Sequence, residues 1–136
     1  MLREIFFERK PDILLRKMLD KAALSQRIIS ANIANVSTPG YQRLGVSFDE
    51  KLTNAMRTGL NKMAQTHPAH FPESGNLNNI KPDVVQIENG YWNGINNVNI
   101  DEEMVELAKN QLDFTTAARL LNMKFTQLRT AIRGRR

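Results

Sequence analysis

The residues able to do chemistry are few and far apart. His67 and His70, within the stretch Thr66–His70 (THPAH), are the two histidines of a 136-residue chain that has no cysteine. Two imidazoles with no cysteine and no convincing third ligand nearby do not make up the set that zinc requires, so they read as loop residues. Without cysteine there is also no disulfide framework, no thiolate metal site and no thiol nucleophile. Carboxylates cluster only at Asp101, Glu102, Glu103 and Glu106, at the start of an apolar-periodic run, where helix capping accounts for them. Neither a glycine-rich phosphate loop nor a Ser-His-Asp set is present,. The residues describe a protein that is not an enzyme, with no cofactor, no metal and no small-molecule substrate.

The chemistry that does stand out is that of amides. In SANIANVSTPGYQR, residues 30–43, two asparagines stand three residues apart in a helix-like run that stops at Thr-Pro-Gly-Tyr. Asn32 falls on the apolar stripe, where an amide stabilises less than leucine but can fix register and partner number. Asn35 lies near the helix end, where asparagine tolerates the left-handed conformation. Thr38 precedes proline and is pushed to an extended shape, and Pro39-Gly40 suits the centre of a type II turn ahead of Tyr41. A plain helix stop with a tight turn explains all of this except the amount of chemistry gathered in one turn.

Two helices must position that turn. Met104, Leu107, Gln111, Phe114, Ala118, Leu121, Phe125, Leu128 and Ile132 alternate in steps of three and four, and Asn99 with Glu102 forms a capping pair ahead of them,. Leu15, Met18, Ala22, Ser25, Ile29, Asn32 and Val36 repeat the pattern near the N-terminus, with Pro11 tolerable in a first turn,. Helices are therefore predicted over 11–36 and 101–132. Neither stripe can be hidden alone, so the helices pack on each other, and a second apolar row (Val105, Ala108, Leu112, Leu120, Met123) is left for further partners,. Residues 61–100 differ in character, with nine asparagines and scattered proline and glycine. Short strands are predicted at Val84–Ile87 and, more briefly, at Tyr91–Trp92, in an otherwise irregular loop. The fold class is mainly α: long N- and C-terminal helices in a coiled-coil-like pair around a small, irregular, β-containing middle. The organisation is 1–43, N-terminal helix and turn; 44–100, polar middle; and 101–136, C-terminal helix forming one unit with 1–43.

Composition bounds the rest. The chain is 41% apolar and 24% charged, as expected of a soluble protein and not of a membrane span. Charges at Arg3, Glu4, Glu8, Arg9 and Lys10 break up the first residues too often for a signal-peptide core,. The net charge of +5 divides as +4 over 1–43, −1 over 44–100 and +2 over 101–136, so it forms no dense patch. A basic helical nucleic-acid-binding protein is the alternative, motivated by the basic pI and the terminal Arg135 and Arg136, although no recognition helix or aromatic-interleaved basic face supports it,. A cytosolic coiled-coil adaptor would share the helices but has no use for the turn.

ANIANVSTPGYQR resembles the N-terminal signature of the bacterial flagellar rod, hook and hook-associated axial proteins. The stretch NNVNIDEEMVELAKNQLDFTTAARLLNMKFTQLRTAIRG, with the short length and the central THPAH, resembles the proximal rod subunits most closely. The resemblance implies a structural subunit of the proximal rod of the flagellar basal body, self-assembling through its terminal helices. It implies type III export from the cytoplasm without a cleaved signal peptide. It further implies, as partners, other rod proteins, the rod-base adaptor, the inner-membrane ring and export apparatus, and copies of itself, with no nucleic acid. Asn32, Asn35, Thr38, Pro39, Gly40 and Tyr41 then form the family's signature turn. Phe48 and Leu52 match its export-gate motif, an aromatic and an apolar residue separated by three positions, which read alone is simply two apolar residues one helical turn apart.

Overall fold

A computed structural model describes residues 10–60, 77–88 and 90–134. Helix α1 (Lys10–Ala34) leads through a turn to strand β1 (Leu44–Ser47) and helix α2 (Asp49–Leu60). After a short 3₁₀ turn (Leu77–Asn79) come strand β2 (Asp83–Gln86) and helix α3 (Ile100–Arg133). The two predicted long helices are present, and so is the predicted strand, one residue earlier than read. Tyr91–Trp92 is not a strand, and both side chains are exposed. Helix α2 and strand β1 are additions to the sequence reading. Thr66–His70, Ile5, Phe6 and Phe7, Arg135 and Arg136 lie outside the described residues.

Helix α1 lies antiparallel to α3, as the side-chain bonds between them show. Lys124 Nζ meets Asp12 Oδ1 at 2.7 Å, Asn110 Nδ2 donates to the Ala22 carbonyl at 3.0 Å, and Asn32 Nδ2 donates to Glu103 Oε2 at 3.0 Å. At 34 residues α3 is about 51 Å long,. Asn99 caps it, its Oδ1 accepting from Asp101 N at 3.0 Å, while its side-chain Nδ2 donates to Glu102 Oε1 at 3.4 Å. The negative first turn, Asp101 to Glu103, suits the positive end of the helix dipole,.

The α1–α3 seam is narrower and more polar than the apolar periodicity suggests. Along α3 the inward row is Glu103, Leu107, Asn110, Ala117, Leu121, Lys124 and Leu128, of which Glu103 and Ala117 are buried and the rest half-buried. Leu107, Leu121 and Leu128 belong to the predicted stripe, and Ala118 beside them is half-buried. Met104, Phe125 and Ile132 stand one position off the inward row and remain 53%, 38% and 73% exposed, and Phe114 is exposed as well. On α1, Leu15, Ala22 and Ile29 are buried, whereas Met18 is exposed. A single partner helix cannot cover a stripe as wide as the one α3 carries, and the polar pairs determine which edge of it turns inward.

The two strands pair antiparallel, with Leu44 opposite Gln86 and Ser47 opposite Asp83. Gly45 is buried because the Ile87 side chain packs into the space a Cβ would need. The first strand of this ribbon lies against α1.

Candidate functional site: the joint between the helix ends

The joint is built around the Asn32 side chain, which is 1% exposed. Its Nδ2 donates to the Leu44 carbonyl at 2.8 Å and to Glu103 Oε2 at 3.0 Å. Its Oδ1 accepts from Leu44 N at 3.0 Å and from the Tyr41 hydroxyl at 3.1 Å. Two donors and two lone pairs are the full capacity of an amide, and all four are used. Arg43 O accepts from Ile87 N at 2.9 Å, so the neighbouring Leu44 turns its N–H and C=O away from β2 in the alternation of an antiparallel ladder. Asn32 pairs with both, and a helix side chain thus closes the open edge of β1 at that residue.

Glu103 brings α3 to the same point. It is buried, accepts from Asn32 through one oxygen and from Arg43 Nε through the other at 2.5 Å, while Arg43 also reaches Glu102 at 3.4 Å. A buried carboxylate is tolerated only when paired and hydrogen-bonded, and both conditions hold. Burial, and then the nearby Glu103 charge, push the Tyr41 hydroxyl above its ordinary value of 10.0. Tyr41 therefore keeps the proton that it donates to Asn32.

The end of α1 is held by a second set of amides. Thr38 O accepts from Tyr41 N at 3.3 Å and Gly40 has φ of 71°, the hydrogen bond and the left-handed third residue of a type II turn,. Asn35 is not left-handed, since none of the described non-glycine residues has positive φ. Its Nδ2 instead bonds back to Ala31 O at 2.8 Å, and its Oδ1 accepts from the Thr38 hydroxyl at 3.1 Å. From across the joint the fully buried Asn96 donates to the carbonyls of Asn35, Val36 and Thr38 at 3.0, 2.9 and 3.1 Å. All three carbonyls lie just past α1, and two of them, Asn35 O and Thr38 O, also accept within the turn from Thr38 N at 2.9 Å and Tyr41 N, so Asn96 reinforces the turn's own bonding. Asn97 bridges Arg43 N at 2.7 Å and Ile87 O at 2.8 Å. Asn93, Asn96 and Asn97 thus act as side-chain clamps that the sequence reading treated as loop. Their one visible signal is density, four asparagines in the seven residues ending at the α3 cap.

Phe48 is 1% exposed at the start of α2, its carbonyl accepting from Leu52 N at 2.9 Å, and Leu52 is half-buried. A groove of about 500 Å³ beside the joint is lined by Lys21, Asp49, Glu103, Glu106, Lys109 and Asp113. Lys21 is paired with Asp49 at 2.7 Å and Lys109 with Glu106 at 3.4 Å, which leaves a mixed and largely neutralised lining. Among the described residues no group of three or more His, Cys, Asp or Glu could hold a metal ion, and no helix is long and apolar enough to cross a membrane.

Two terminal helices are thus locked together through the tight turn at Thr38–Tyr41. The family described as "Flagella basal body rod protein" matches residues 19–42, the second half of α1 and the turn. The "Flagellar basal body rod protein FlgB" of Bacillus subtilis (strain 168) is 32% identical over 120 residues, covering 88% of this chain and 91% of that protein. The proteins of the same name from Borreliella burgdorferi and Borrelia hermsii are 35% and 34% identical, covering 78% and 80% of this chain and 82% and 84% of theirs. The likeness thus runs through both helices and the segment between them, and the chain belongs to the flagellar basal body rod protein family.

Proposed function

We propose that the chain is a structural subunit of the rod of the flagellar basal body, of the kind found in the proximal rod. In this reading it leaves the cytoplasm by type III export without a cleaved signal peptide and assembles through its terminal helices. Its partners are other rod subunits, the rod-base adaptor, the inner-membrane ring and export apparatus, and copies of itself. The observation that carries the reading is the division of α3 into two faces. One face is fastened to α1 through specific polar pairs, and the other leaves Val105, Leu112, Leu120 and Met123 exposed on a helix about 51 Å long,. Such a surface suits packing between subunits and not solitary existence.

The basic composition does not favour nucleic acid. Lys21, Arg43, Lys51, Lys109 and Lys124 are each engaged by the chain's own carboxylates. Placing aspartate at Leu112 or Met123 separates export from assembly. Each position is exposed in the subunit, so folding should survive, whereas a charge buried in a subunit interface costs several kcal/mol, roughly enough to abolish packing. The expected result is normal secretion with loss of swimming and of rod in isolated basal bodies. Full motility in both variants would remove the reading of this face.

A further inference from the structure

The sequence contains two Asn-Gly pairs, Asn89–Gly90 and Asn93–Gly94, and the second lies inside the clamp that holds the end of α1. We propose that Asn93–Gly94 is a spontaneous deamidation site gated by folding, protected while the joint is closed and reactive whenever it is open.

The reaction needs nothing beyond water and hydroxide. The Gly94 nitrogen, losing its proton to base, attacks Asn93 Cγ. The Cγ–Nδ2 bond breaks, Nδ2 leaves as ammonia, and a five-membered succinimide remains. Water then opens the ring at either carbonyl, giving aspartate or isoaspartate. A following glycine favours the first step because it has no side chain to obstruct the attacking nitrogen, and no neighbouring atom lies within 4 Å of where a Cβ at Gly94 would stand. Asn93 itself is exposed, so solvent reaches it.

What restrains the reaction is the hydrogen bonding of the carboxamide. Asn93 Oδ1 accepts from Ile95 N at 2.8 Å and from Asn96 N at 2.7 Å, and so reaches past Gly94 to the next two amides. Its Nδ2 donates to Asn96 Oδ1 at 3.1 Å and to Val98 O at 3.3 Å. Cyclisation requires Cγ to swing onto Gly94 N, which breaks these bonds. Gly94 is also held at φ of 91°, within a loop pinned by the Asn93 N to Asn96 O bond at 3.1 Å. Closure and reaction therefore compete for the same side chain.

The product cannot re-form the clamp. Aspartate presents a carboxylate where Nδ2 donated, facing two acceptors, and isoaspartate adds a methylene to the backbone of the loop. Asn96 is oriented through Oδ1 by Asn93 and Val98, and its Nδ2 holds three carbonyls beyond α1. Loss of Asn93 thus reaches the helix end.

The test incubates the full chain at mildly alkaline pH in native buffer and in concentrated guanidinium chloride, with peptide mapping by mass spectrometry at intervals. In denaturant Asn93 should convert about as fast as Asn89, its sequence-matched comparator, and Gly94→Ala should slow it severalfold. In native buffer conversion at Asn93 should be at least about tenfold slower, since only the open fraction reacts. Asn96→Ala, which removes one acceptor of the carboxamide, should raise the native rate towards the denatured one. Equal rates in the two solvents would overturn the proposal. So would conversion of Asn89 but not Asn93 in denaturant, or a native rate unmoved by Asn96→Ala.

Discussion

Replacing Asn32 by leucine sets the two readings of this position against each other. If Asn32 were a register-setting amide in an apolar stripe, leucine would stabilise the helix pair. In the joint, leucine strips partners from Leu44 N, Leu44 O, the Tyr41 hydroxyl and Glu103 Oε2. Glu103 retains Arg43, and Tyr41, half-buried, can turn to water. The two backbone groups of Leu44 cannot move without the strand. At about 1–3 kcal/mol for each unsatisfied buried group, discounted because Leu44 is only half-buried, the loss is roughly 2–4 kcal/mol,. That is a large share of the 5–15 kcal/mol or so that holds a typical domain. Asn32→Asp should be worse than its near-identical shape suggests, because it places a second carboxylate against Glu103. Urea unfolding followed by circular dichroism, in a stabilising osmolyte, reads these as shifts of midpoint at constant slope. A midpoint raised by leucine, or unchanged by aspartate, would refute the account of the joint.

Three further outcomes follow from other contacts. Tyr41 is raised above its unfolded value near 10, so its contribution is complete below about pH 10 and fades as pH climbs through the folded value,; Tyr41→Phe should flatten that alkaline loss in a pH series of unfolding midpoints. Lys124→Met leaves Asp12, buried against α3, without its cation, and should cost about 1–2 kcal/mol after allowance for the partial exposure of the lysine,; adding Asp12→Leu should recover most of it in a double-mutant cycle. Phe48→Ala empties a site that is 1% exposed and should cost about 3–5 kcal/mol,. If Phe48 and Leu52 also form an export-gate motif, secretion of Phe48→Ala should fall although destabilisation alone would ease threading; undiminished secretion with a lowered midpoint would assign the pair to packing only.

The long elements were legible because their signals are local. Caps, periodicity and the Thr-Pro-Gly-Tyr turn each act within a few residues, and α1, α3 and the turn follow from them. The face that α3 turns inward was not legible, since Met104 and Glu103 differ by one step of the helix and apolarity favours the wrong one. The choice depends on Arg43 and Asn32, 60 and 71 residues away, which no periodicity encodes. Asn96 escaped for the same reason: an asparagine in a loop and one that caps a distant helix have the same local sequence. Phe48, outside both stripes, gave no sign of being among the most buried side chains.

The partition of polar and apolar residues gives the fold its logic. Within the subunit, Asp12–Lys124, Ala22–Asn110 and Asn32–Glu103 secure the helix pair by directional bonds, which tolerate one register and reject its neighbours. Such bonds contribute about 1 kcal/mol each in net terms, too little to make the pair strongly stable but enough to define it. Further apolar surface remains uncovered on the outer rows of α3, where Val105, Leu112 and Met123 are exposed, and its burial would add to the stability of the pair,. Whatever covers those rows binds the folded pair and not the unfolded chain, so by mass action it stabilises the helices it packs against. On the proposed reading, in which the chain assembles through these rows, folding and assembly become one equilibrium, with geometry set inside the chain and further stabilisation gained between copies or partners.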